Sequence, residues 1–366
     1  MNHDISPVVK RFQFAREWLD VRPYGAGHIH DTYVVCFRSP DGMISRYILQ
    51  RLNTTVFQLP EQLMENLERV TTHLKGKIAA AGGDPMRETL NLISARDGKP
   101  FVKTGAGEYW RAFHFIERAQ TYDTAVNSEH VAEVAKAYGR FLELLSDLPV
   151  GQLHETIPDF HHMNRRCQTL MEAAKRDVKH RARSVRPEIE FAEKRVDEAS
   201  ILVDLLEQGG LPTRVVHNDT KLGNVMIDEK TGEGLCVIDL DTVMPGLSLY
   251  DFGDLVRSAA NPAAEDERDL SKVCLDLDIF ERCVEGYLEG EGGLLTPSEL
   301  DLFPFSAKLI ALELGMRFLT DYLNGDVYFK THHEAHNLER CRVQFKLVED
   351  IESKLDHLAE IIEKHR

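Results

Sequence analysis

Three oxygen-bearing side chains stand at a spacing that could handle a phosphoryl group. Asp219 and Asn224 lie in VVHNDTKLGN, and Asp239 closes the apolar run GLCVID. Phosphoryl transfer asks for little covalent chemistry from a protein; it asks for an oriented acceptor hydroxyl and for neutralised phosphate charge. One carboxylate can receive or steer the hydroxyl proton, while an amide and a second carboxylate offer hard oxygen ligands to Mg²⁺. Each residue alone is an ordinary turn former. Their joint order, between runs rich in Val and Ile, is specific.

On this reading Asp219 is catalytic, holding an acceptor hydroxyl in line with the γ-phosphate of ATP. Asn224 and Asp239 each give an oxygen to the metal, and His217 braces the loop. Two roles fit Lys221: a second catalytic group that neutralises the γ-phosphate, or a solvent-facing loop lysine. Asp241 could bind a second metal or cap the turn before Pro245. Asp251, in YDFGD at a turn into a helix, reads as an anchor for the catalytic loop.

The upstream residues must place nucleotide over this loop. Residues 7–20 read as a short amphipathic helix. YGAGHIHDTYVVCFR (24–38) then gives a turn with Gly25 and Gly27, either a phosphate cover or a plain tight turn, followed by a strand. Asp41-Gly42 marks a hairpin, with Arg46–Leu52 returning. A basic residue on that strand would contact phosphate, and alternation lets only one of Gln50 and Arg51 face the cleft. Alignment of the strand favours Gln50, chemistry Arg51. The helix over 60–75 carries Glu65 and Glu68, each either the carboxylate partner of that strand or a solvated residue. Strands are expected at Thr89–Ser94 and Tyr109–Glu117, and the main chain over Phe115–Arg118, including Glu117, would meet adenine as a linker between lobes.

Beyond Arg118 the pattern turns helical, with amphipathic helices over 128–146 and 188–207. The basic segment 161–186 reads as a charged helical pair over the cleft rather than a nucleic-acid patch, since aromatic interleaving is absent. A net charge of −16 also argues against nucleic acid. Six scattered cysteines without a C-x-x-C pair suit reduced thiols. No signal core and no apolar run of membrane-spanning length stand in the sequence, so a cytoplasmic protein with no membrane partner is expected.

HNDTKLGN, VIDLDTVMPG and YDFGD resemble the aminoglycoside phosphotransferase superfamily of small-molecule kinases. YGAGHIHDTY, ILQRLNTTVF and PEQLMENLERVTTHL extend the similarity to its branch acting on N-acetylhexosamines, from about Tyr24 to Tyr328. The resemblance implies an α+β, two-lobed protein-kinase-like fold: an N-lobe over 1–117 with an antiparallel sheet, and a mostly helical C-lobe over 118–366. It implies ATP and Mg²⁺ as cofactors and a sugar acceptor, phosphorylated at its anomeric hydroxyl, and it is compatible with a monomer. Asp219 matches the catalytic acid and Asp239 the metal-binding acid. Arg317 and Tyr328 match sugar contacts, as does His28, with His30 close enough to blur the match. Read bottom-up, Arg317 and Asp321 share a helix face at i and i+4 and form either an ion pair or part of a hydroxyl-binding site. Two alternatives remain: a kinase of the same superfamily with another acceptor (another hexose, an amino alcohol, an aminoglycoside), and an inactive ligand-binding relative. Gln50 is the one feature favouring the latter.

Overall fold

Alternation of apolar residues builds the first part of the chain into an antiparallel sheet. A computed structural model describes residues 5–14, 17–25 and 29–366. The sheet contains β1 (Glu17–Pro23), β2 (Asp31–Arg38), β3 (Ile44–Arg51), β4 (Val102–Lys103) and β5 (Tyr109–His114), in the order β1-β2-β3-β5-β4. Helix α1 (Pro60–Ala80) starts on a proline suited to the first helical turn and buries Leu63, Leu67, Val70, Leu74 and Ile78 at helical spacing.

Two expectations for this lobe need correcting. The lead-in helix is only Ser6–Val9; residues 17–20 belong to β1, where Trp18 pairs with Phe37. Pairing with β2 overrides a stretch whose apolar residues suit either period. The segment 89–94 runs beside β5, with Ile93 N–H donating to Ala112 O (2.8 Å), yet it forms only an isolated bridge. Thr89 and Asn91 are buried there, and the Asn91 side chain turns back to the Pro85 and Thr89 carbonyls.

The second lobe is mostly helical and confirms the two-lobed α+β architecture. Its principal helices are α2 (Ser128–Leu144), α3 (Met163–Arg176), α4 (Ser248–Ala259), α5 (Leu277–Glu291), α6 (Phe303–Asn324) and α7 (His336–His365). The helix expected over 188–207 is broken into Arg186–Glu193, Val196–Ala199 and Ile201–Glu207. α6 is buried nearly all round, from Phe303 to Leu323, and is the central rod of the lobe. Short strands carry the loop with the oxygen ligands. β6 (Ala119–Gln120), β8 (Val225–Asp228) and β9 (Gly234–Val237) form one sheet, while β7 (Arg214–Val216) pairs with β10 (Met244–Gly246). Asp219 therefore follows β7 and Asp239 follows β9. All six cysteines are free, and among the described residues no helix is long and apolar enough to cross a membrane.

Candidate active site

The loop after β7 is held almost wholly through its backbone. Asp251, inside α4, accepts from His217 N–H (2.8 Å) and Asn218 N–H (2.6 Å). Burial pushes the Asp251 carboxyl up to about 6, against the opposing influence of His217 and those two donors. Asn218 sits in the left-handed region (φ 65°) and donates its amide to Thr242 O. His217 spends both ring nitrogens locally: Nε2 donates to Ile238 O (2.9 Å), and Nδ1 accepts from Asp219 N–H (3.2 Å). It braces the loop, as its place in the sequence suggested.

Asp219 emerges from this frame beside Lys221 Nζ (2.8 Å) and Asn224 Nδ2 (2.9 Å). Burial pushes the Asp219 carboxyl up, but Lys221, His217 and Asn224 outweigh it and hold it below the ordinary range. Lys221 is correspondingly raised: burial opposes its charge, and Asp219 and Asp239 more than restore it. Asp239 lies two residues before Asp241, in a left-handed turn (φ 59°). Its carboxyl is pushed up by burial and by the nearby carboxylates of Asp241 and Asp219. Asn224 donates its amide nitrogen to Asp219, leaving its amide oxygen for another partner. A strained carboxylate and an uncommitted amide oxygen are donors that fit a hard divalent cation such as Mg²⁺.

Asp241 is not placed as a second metal ligand. Its two oxygens are engaged by Arg111 of β5, with Nη2 at 2.9 Å, and by His30 Nε2 at 2.5 Å. Burial opposes the charge on Asp241, yet Arg111 and then His30 drive its pKa well below the usual range. Strand β3 settles its own ambiguity by alternation. Gln50 faces this cluster and accepts from Arg111 Nε (2.9 Å), whereas Arg51 lies on the other face with Asp31 and Glu108. The expectation that Arg51 reaches the phosphates is therefore not met.

Glu65 also departs from expectation, pairing with His154 (2.8 Å) and Arg69 (3.2 Å) away from β3. The side chain that α1 turns toward the loop is the next one, buried Asn66, which donates to Val243 O (3.3 Å). Glu68 is exposed. Glu117 points outward to Arg46 (Nε–Oε1 2.9 Å), and its carbonyl already accepts from Arg87 (3.1 Å). Gly25 adopts φ 75°, a conformation glycine reaches without strain, while Gly27 and His28 lie outside the described residues.

A second cluster adjoins the Asp219 loop from α6. His161 Nδ1 contacts Glu313 Oε2 (2.7 Å), and its Nε2 contacts Asn218 O (3.2 Å). Both partners accept only, so the ring donates from both nitrogens and is an imidazolium. Its raised pKa agrees: burial lowers it, and Glu313 more than compensates. Glu313 stays ionised, with burial overcome by His161, Arg317 and Arg166. Arg317 is 4.0 Å from Glu313 Oε1 and lies over the Phe160 and Phe329 rings (5.4 and 5.6 Å). The proposed Arg317–Asp321 pair is absent. Asp321 instead accepts from the backbone N–H groups of Val327, Tyr328 and Phe329 and from Asn337. Tyr328, adjacent to Phe329, is 58% exposed and available to a ligand.

Sequence reasoning missed Arg111, His161, Arg166 and Glu313. Arg111 alone left a signal, as one charge inside the apolar strand YWRAFHF.

A family model described as the phosphotransferase enzyme family matches residues 20–294. Three solved structures share the fold. An aminoglycoside phosphotransferase from Alicyclobacillus acidocaldarius is 13% identical with TM-score 0.60, covering 97% of this chain and 95% of its own. A microcompartment-associated aminopropanol kinase is 14% identical with TM-score 0.56, covering 96% and 97%. A spectinomycin phosphotransferase, solved with ADP and spectinomycin, is 14% identical with TM-score 0.53, covering 98% and 97%.

Proposed function

The chain belongs to the phosphotransferase enzyme family, and we propose that it is an N-acetylhexosamine 1-kinase. ATP supplies the γ-phosphoryl group and the sugar's anomeric hydroxyl accepts it. Asp219 orients that hydroxyl; its low pKa suits an orienting carboxylate that takes the proton only as the new O–P bond forms and the bond to ADP breaks. Lys221 neutralises charge on the transferring group. Asn224 and Asp239 would hold Mg²⁺, which would supply positive charge to neutralise the phosphates. Arg317 and Tyr328 bind the acceptor, with Arg166 beside them; His28, outside the described residues, is assigned to the same sugar by resemblance.

One observation carries the choice of a neutral acceptor. In the cluster that α6 sets against the Asp219 loop, the buried carboxylate of Glu313 is faced by the His161 imidazolium and by the guanidinium groups of Arg166 and Arg317. Such a surplus of donors suits hydroxyl and acetamido oxygens and repels an ammonium. The second reading, an amino-alcohol or aminoglycoside acceptor, draws on the aminopropanol kinase and the aminoglycoside phosphotransferase that share the fold.

The test is phosphate transfer from Mg·ATP to N-acetylhexosamines, plain hexoses, choline and an aminoglycoside, with the product phosphate located by ³¹P NMR. A sugar 1-phosphate from an N-acetylhexosamine is expected. Transfer only to a cationic acceptor would remove the sugar assignment and leave the family intact; no transfer would favour an inactive relative. Arg317→Ala should raise the KM for sugar while leaving that for ATP nearly unchanged, and a selective loss of ATP affinity would contradict its placement.

A further inference from the structure

The nucleotide side of the cleft contains an arrangement that the position of Gln50 alone would not suggest. In the antiparallel ladder Gln50 stands directly opposite Arg111. Both ends of its amide are engaged: Oε1 accepts from Arg111 Nε, and Nε2 donates to Thr32 Oγ1 (3.1 Å). A lysine at position 50 would set two like charges opposite each other across the ladder, an unfavourable pairing. Position 50 thus carries no cation because the residue opposite it does.

That cation is committed. The side chains of Arg111 and Asp241 are each only 3% exposed, and the guanidinium grips both carboxylate oxygens as a fork. His30 adds a third bond. Its Nδ1 accepts from Asn53 N–H (3.0 Å), so the proton facing Asp241 sits on Nε2. Thr156 Oγ1 donates to Asp241 O (2.9 Å). Two N-lobe side chains therefore hold a C-lobe residue that lies two residues past Asp239, within the short turn Leu240–Thr242.

We propose that Arg111 supplies the N-lobe cation of the nucleotide site from β5, acting as a positioning residue. By fixing Asp241 it fixes the turn that presents Asp239 to the metal, and it cancels one of three neighbouring carboxylates. Gln50 is then the orienting partner of Arg111 and no mark of an inactive chain. The inference rests on the kinase reading of the site and is independent of the acceptor.

Calorimetric titration of AMP-PNP, with Mn²⁺ and with EDTA, tests it on wild type, Arg111→Met and Arg111→Met/Asp241→Leu, alongside thermal unfolding. Wild type should bind Mn·AMP-PNP; failure to do so would overturn the kinase reading and this one together. Arg111→Met should raise the Kd of Mn·AMP-PNP about tenfold or more, the range seen when partners behind metal ligands are removed. Its metal-free affinity should stay near wild type. The double variant replaces a buried ion pair by apolar groups, so its thermal midpoint should return toward wild type, while its weak Mn·AMP-PNP binding persists. Wild-type Mn·AMP-PNP affinity in either variant would make the pair a mere strut and overturn the proposal. An equal loss with EDTA would overturn it too, because Arg111 would then be a direct phosphate ligand.

Discussion

Asp219 is held as a carboxylate by Lys221 and Asn224, so its value lies in aim more than in basicity. Asp219→Asn should keep nucleotide affinity, read by calorimetry, while turnover falls by a factor on the order of 10²–10⁴, the usual share of a positioned acid–base group. Near-normal turnover would remove Asp219 from that role. His161 makes a separate, pH-dependent prediction. Its pKa is raised on folding, so its contribution to stability is complete below the unfolded value of about 6.5 and is lost as pH rises through the higher folded value. Wild type should therefore lose thermal stability above that pH more steeply than His161→Gln; parallel profiles would mean the ring is neutral throughout. These residues differ in how visible they were in the sequence. Asp219, Asn224 and Asp239 share one loop-strand unit, so their spacing could be read directly. His161 and Glu313 stand 152 residues apart, and Arg111 and Asp241 stand 130 apart; no local pattern records such pairings.

The catalytic loop is aimed by elements packed more tightly than their sequences announce. Tyr138 of α2 donates to Lys221 O (2.7 Å), so the seating of α2 sets the loop. α2 in turn lies against α5 at backbone contact. A Cβ added at Gly286 would run into Ala132 O, and one at Gly290 into Lys136 O, both well inside van der Waals distance. Gly286→Ala should therefore destabilise the protein by about 1–3 kcal/mol, the cost of overpacking a close-fitted contact, seen as a lower urea midpoint. An unchanged midpoint would show that the two helices can separate at no cost. Long elements with one consistent period, such as α1 and α2, were legible. Elements decided by a neighbour were not. β1 takes its form from pairing with β2, and the stretch expected as a second strand before β5 is interrupted by buried Thr89 and Asn91. The break after Glu193 divides a segment whose periodicity alone reads as continuous.

Across the whole molecule, the two lobes meet where three N-lobe side chains reach the segment 241–243: His30, Arg111 and Asn66. The order of sheet, loop and helices follows from sequence patterning; this clasp does not, because each of its bonds joins the lobes. It also bears on how a protein of net charge −16 binds an anion. Lys221 carries positive charge into the cleft, and Asp239 and Asn224 can add that of a metal, so nucleotide without metal should bind far more weakly than nucleotide with it. Ligand that binds only the folded chain stabilises it by mass action, about 2.7 kcal/mol at a hundredfold excess over Kd. Mg·AMP-PNP at that excess should raise the thermal midpoint clearly, and AMP-PNP with EDTA at the same concentration should raise it much less. Equal shifts would mean that protein cations alone hold the phosphates, which would leave the raised pKa of Asp239 without its expected cation.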